Sequence, residues 1–181
     1  MSDKQHAEVI ENYIKNIKRY MQEAGGLFPH FTIFASKIDG EEDEKMSIIH
    51  IPIPSQNMET DKDKDFLVND LLPIIYEKIK DEFIPYGVGW ASEAWLRTTN
   101  KEEDVANYKD LPIKKEVLMV SVDTDFKSET IIYDIKRQGQ QINSEGELVD
   151  IIQLDISEEL SESMQSVGGR FVGLYNKLKS L

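Results

Sequence analysis

The sequence predicts an α+β domain in which three helices flank a mostly antiparallel sheet of about six strands, in the order α-β-β-α-β-β-β-β-α. Three observations carry that prediction. Apolar residues recur at helical spacing in three separate windows, β-rich runs fill the intervals, and the connections between the later strands are too short to hold crossover helices. With 181 residues and no internal repeat, the chain reads as a single domain over 1–181. A domain of that size buries roughly 70% of the surface its unfolded form exposes.

The first window holds Val9, Ile10, Tyr13, Ile14, Ile17, Tyr20, Met21 and Ala24, and Gly25-Gly26 stops it as a C-terminal glycine does. "HFTIFASKI" and "EKMSIIHIPI" follow as two strands around the charged turn "DGEED", an antiparallel hairpin over residues 30–53 that Pro52 and Pro54 end. From Asp61 to Phe83 the positions Phe66, Leu67, Leu71, Ile74, Ile75, Ile79 and Phe83 restore helical spacing, with Pro73 expected to kink the helix or restart it.

Over residues 88–97, Val88, Trp90, Ser92, Ala94 and Leu96 alternate with Gly89, Ala91, Glu93, Trp95 and Arg97. Both sets are largely apolar, so this reads as a central strand covered on two sides, with the two tryptophans filling volume on opposite faces. The charged, aperiodic stretch 98–112 reads as a surface connection. "EVLMVSV", "ETIIYDIKR" and "ELVDIIQLDI" then form a meander, its turns supplied by "DTDFKS" and by the Gly139 to Gly146 segment. Ser157 caps a last helix that carries Leu160, Met164, Val167, Phe171, Leu174, Tyr175 and Leu178 on one face. Gly169 and Gly173 on that helix suggest a small-residue stripe for close packing, as at a dimer seam. Ile131-Ile132 and the run from Val149 to Ile152 look apolar on both faces, so a helix or a second copy of the chain must cover the far side.

Thirty-four acidic against 21 basic residues give a formal charge of −13, which repels phosphate backbones and anionic membranes and makes direct nucleic-acid binding unexpected. The charge serves solubility first, and imitation of DNA is the sharper alternative. Without cysteine there can be no disulfide, thiolate metal site or cysteine nucleophile. Neither a signal-peptide core nor a membrane-length apolar run is present, so the expected location is the cytoplasm.

Tests for chemistry mostly fail on spacing. "DKDKDF" starts like a calcium loop, but Phe66 stands where the loop needs glycine and Leu72 where it needs glutamate. The carboxylates of "DGEEDE" and of Asp123, Asp125 and Glu129 read as solvated turn residues. No nucleophile elbow or phosphate loop occurs, and the glycines of "SVGGRFVG" fall in a helical pattern. Among His6, His30 and His50 there is no zinc-type spacing, although the arms of the first hairpin can bring His30 and His50 together if the register allows. These readings assign no catalytic residue, metal or cofactor.

Glu93 is the exception, because a carboxylate on an otherwise apolar strand must be paired or have a raised pKa. Arg97 lies on the same strand face but about 13 Å along it, so Lys114 or Lys115 from the next strand is an equally good partner. Structural pairing is the more common outcome for such a carboxylate. If the strand instead borders a binding site, its residues are Glu93, Trp95 and Arg97.

The "SEAWL" of residues 92–96, followed by the charged connection and "PIKKEVLMVSV", resembles a loose group of small uncharacterised bacterial and phage proteins. In these an "EAW" strand leads to a strand marked by proline and glutamate. The resemblance spans about residues 60–156 and implies a joint role for Glu93, Ala94, Trp95, Pro112 and Glu116, but no activity. The function expected from the sequence is non-enzymatic protein interaction, as a homo-oligomer or with another protein partner. A small enzyme or ligand-binding domain using Glu93, and an acidic DNA mimic, are the alternatives.

Overall fold

The computed structural model describes residues 3–38, 46–97, 110–156, 171 and 173–179. The chain is an α+β domain with the element order expected from the sequence. Helix α1 (Asp3–Ala24) is followed by β1 (His30–Lys37) and β2 (Met46–Pro52). A helical rod comes next, made of α2 (Asp61–Phe66), a π turn (Leu67–Leu71) and α3 (Leu72–Ile79). The meander is β3 (Phe83–Leu96), β4 (Lys115–Thr124), β5 (Ser128–Ile142) and β6 (Leu148–Ile156), and α4 (Leu174–Lys179) is the last element. The strands form one antiparallel sheet in the order β2-β1-β3-β4-β5-β6.

Strand alternation sorts the core into two halves. Thr32 and Phe34 of β1, Ala91 of β3, Leu118, Val120 and Val122 of β4, and Ile152 and Leu154 of β6 face α1, which answers with Val9, Ile10, Tyr13, Ile17 and Met21. Phe31, Ile33, Val88 and Trp90 face the other way, against Leu67, Val68 and Leu72 of the rod and Leu174, Tyr175 and Leu178 of α4. Helices therefore cover the second face over the central strands. Farther out, that face carries polar cross-strand pairs: Lys115 with Asp134 at 2.8 Å, and Lys136 with Asp155 at 2.6 Å. Ile132 is buried, whereas Ile151 is 40% exposed.

Proline decides two local features. The capping box of Thr60 and Asp63 starts the rod, and the π turn widens it just before Pro73, whose ring would otherwise collide with the carbonyl four residues back. The rod ends at Ile79, so Phe83 belongs to β3 and not to the helix expected over 61–83. That strand begins before residue 88 because the β1–β3 register shifts between Phe34 and Ala35, leaving Tyr86 as the extra residue of a bulge. Pro85 sits where β3 pairs with β1 alone, an edge position at which its missing N–H costs little.

Three further expectations need correction. β5 continues to Ile142, because Gly139 (φ +151°) lets the strand bulge after Arg137, and the turn shrinks to the residues between Ile142 and Leu148. The polar run "QGQQI" concealed a strand that is solvated on both sides. Trp90 is fully buried, but Trp95 is 62% exposed, since β3 outruns the cover of α1 at that end; only one tryptophan fills core volume. Gly173 (φ +68°) lies just before α4 and not inside a helix, which removes it from the proposed stripe. Ser157, Leu160, Met164, Val167 and Gly169, like the "DGEED" turn and residues 98–109, lie outside the described residues.

Candidate functional site

The β1–β2 register pairs Thr32 with His50 and His30 with Pro52, so His30, Thr32 and His50 share the face turned to α1. Their rings gather under Tyr13. The two imidazoles meet edge-on with centroids 5.6 Å apart, and the Tyr13 ring stacks on His50 at 6.1 Å and stands edge-on to His30 at 6.4 Å. Thr32, fully buried, donates to the Tyr13 hydroxyl at 3.3 Å and lies 3.1 Å from Nδ1 of His50. Nδ1 of His30 donates to the Phe28 carbonyl at 3.0 Å.

The Phe28 carbonyl can only accept, so His30 carries its proton on Nδ1 and its Nε2 is bare in the neutral ring. Between His50 Nδ1 and the Thr32 hydroxyl either group can be the donor. Burial lowers the pKa of His30, helped by its neighbour His50, and burial lowers that of His50 as well. Burial also raises the Tyr13 pKa, against the smaller opposing effect of the Thr32 bond, so Tyr13 stays a phenol.

Beside this cluster a cleft of about 470 Å³ opens between α1 and the hairpin. Asn16, Ile17, Arg19 and Tyr20 line one wall and Leu27, Phe28, His30, His50 and Pro52 the other. Phe28 (63%) and Tyr20 (48%) are exposed at its edges. It can receive a small molecule with apolar surface that reaches the His30 and His50 imidazoles in its wall.

Glu93, Trp95 and Arg97 lie elsewhere and do not converge. Glu93 belongs to a clamp around Arg137 of β5. The guanidinium uses all of its N–H groups: Nε and Nη2 bind Glu116 at 3.1 and 2.8 Å, Nη2 also binds Glu93 at 2.9 Å, and Nη1 binds Asp150 at 2.9 Å and the Gly25 carbonyl at 2.7 Å. The other Glu93 oxygen accepts from the Leu27 N–H at 2.6 Å. Thus the partner of Glu93 is neither Lys114 nor Lys115, and Lys115 instead pairs with Asp134. Arg137 was legible only as the end of a β-run, because the contact spans 44 residues. Burial raises the Glu93 pKa, with Glu116 adding to it, whereas the bond from Arg137 lowers that of Glu116 and raises that of Arg137.

Arg97 turns away and donates through Nη1 to the Leu111 carbonyl. Trp95 pairs in register with Glu116, so of Glu93, Ala94, Trp95, Pro112 and Glu116 it is the two glutamates that meet at one cation. The clamp reaches the cleft indirectly. It fastens Gly25 and Leu27, the turn that carries the cleft wall, to the sheet. Gly25 (φ +71°) is required there, since a side-chain carbon would stand 2.6 Å from the Asp150 nitrogen.

Among the described residues no group of three or more His, Asp or Glu side chains is arranged to hold a metal ion, and no helix is long and apolar enough to cross a membrane. No protein-family model matches the chain, and no curated protein and no solved structure matches it either.

Proposed function

We propose that this is a binding protein, and that it takes a small, largely apolar ligand carrying a hydrogen-bond donor into the cleft between α1 and the β1–β2 hairpin. The supporting observation is that two adjacent imidazoles, one with its Nδ1 proton already given to Phe28 and its Nε2 left as an acceptor, line an otherwise mainly apolar cleft. Catalysis fits less well. The hydroxyl beside an imidazole is that of Thr32, which is fully buried beneath Tyr13 and cannot reach a substrate.

An NMR titration with a fragment set of small apolar amides and alcohols tests the proposal. Shift changes should centre on Ile17, Leu27, His30 and His50 and disappear in Asn16→Trp, which fills the cleft from an exposed helix position. Changes scattered over the surface, or unaffected by Asn16→Trp, refute it.

A second reading, homo-oligomerisation, draws support from the position of β6 at the end of the sheet among the described strands and from Ile142, Leu148 and Ile156, each at least 60% exposed. Light scattering that gives 20.8 kDa throughout a dilution series rules this out.

A further inference from the structure

The imidazole pair has a geometry that hydrogen bonding to a ligand does not require. We propose that His30 and His50 jointly hold one divalent transition-metal ion of the zinc, cobalt or nickel type through Nε2, with its remaining coordination positions open to the cleft. This rests on the same cleft as the proposed function, but not on which small molecule enters it.

Spacing gives the first argument. Two imidazoles bound to one tetrahedral metal through nitrogens at about 2.0–2.1 Å place their ring centres roughly 5 Å apart. The observed separation is 5.6 Å, within a small side-chain adjustment of that value. A pair packed only to fill space need not be so close, or both line an open cavity.

The second argument is the tautomer. A metal-binding histidine generally donates its other ring N–H to a carbonyl or similar acceptor, which fixes the ring and leaves the ligating nitrogen bare. His30 does this to Phe28, and His50 Nδ1 lies 3.1 Å from the Thr32 hydroxyl, which can accept the same bond, while Tyr13 stacks on His50 and holds the plane of the ring. Two independent orienting bonds on adjacent rings resemble the outer shell of a metal site.

The third is room and charge. Imidazole suits zinc, nickel and cobalt, and with two protein ligands the other positions fall to water or to a ligand in the 470 Å³ cleft. Arg19 is the charged side chain among the lining residues. It opposes the bare cation but favours an anionic group, such as a carboxylate, as a further ligand on the metal.

Equilibrium dialysis of the chelator-stripped protein against zinc is the test, with cobalt absorption as a second readout. One zinc per chain is expected, bound at least tenfold more weakly in His30→Gln and in His50→Gln, each checked for a near wild-type melt, and unchanged in His6→Gln. Absence of stoichiometric zinc in the wild type refutes the site. So does zinc retained by the double variant, or a loss confined to one of the single variants. Fragment titration in the presence of chelator separates the two proposals: fragment binding without zinc leaves the cleft standing and removes the metal, and zinc without fragment binding does the reverse.

Discussion

Replacing Arg137 by methionine keeps most of its aliphatic volume and removes every donor of the clamp. Glu93, Glu116 and Asp150 are then left close together without a cation, and the Gly25 carbonyl loses its partner. Exposed ion pairs contribute about 0–1 kcal/mol and unpairing a buried charge costs about 3–5 kcal/mol. The Arg137 side chain is 31% exposed and its carboxylates 26, 19 and 34%, so the cost lies between these limits, at about 2–3 kcal/mol. For a domain of this length that lowers the melting temperature by roughly 5–10 °C. Calorimetry at pH 7 reads it directly, and pH gives a second check. Arg137 holds the Glu116 carboxyl below its usual range, so this stabilisation is present above the ordinary glutamate pKa and is lost as pH falls through the lowered value. The gap between wild type and variant should therefore narrow in acid. A variant that melts within 2 °C of wild type at pH 7, or a gap that widens in acid, would refute the reasoning.

Glu93→Gln should be milder than Arg137→Met, about 1 kcal/mol, because an amide oxygen still accepts from Leu27; a larger loss in urea melts would show that the charge and not the bond matters. Trp90→Ala should cost about 3–5 kcal/mol and Trp95→Ala less than about 0.5 kcal/mol, given full burial of one and exposure of the other, and equal costs would contradict the placement. Burial depresses the pKa of His30 and His50, so the unfolded chain takes up protons first as pH drops below about 6.5. Stability should fall through that window and His30→Gln should flatten the fall; parallel curves for wild type and variant would count against it.

What the sequence made legible was periodicity, and what it hid was contact. Helical spacing in α1 and alternation in β3 identified the elements and their order because both patterns are local. Gly139 looked like a turn, since a glycine among glutamines gives no sign that the partner strand continues. Phe83 kept helical spacing after the helix had ended, an apolar residue that serves either element. At the candidate site, the spacing of His30 and His50 around their turn made the pairing possible, but only the register could decide it. The placement of the two rings depends on Phe28, Thr32 and Tyr13, and no residue pattern encodes that combination. Glu93 was recognisable as needing a partner, whereas Arg137 was not recognisable as that partner.

The docking of α4 carries a consequence for how this molecule can be watched. Six residues are too few to be helical alone, so α4 exists only while tertiary contacts hold it. Asp123 of β4 accepts from the Tyr175 and Asn176 N–H groups at 2.8 and 3.4 Å, and the Tyr175 hydroxyl binds Asp125 at 2.9 Å. Just ahead of the helix, Phe171 lies flat on Trp90 at 4.0 Å, with 4° between the rings. Detachment of the C-terminal segment would thus hydrate the buried indole while the sheet stays intact. Trp90 is a built-in optical reporter for a local opening that hydrogen exchange would place well below the global unfolding free energy.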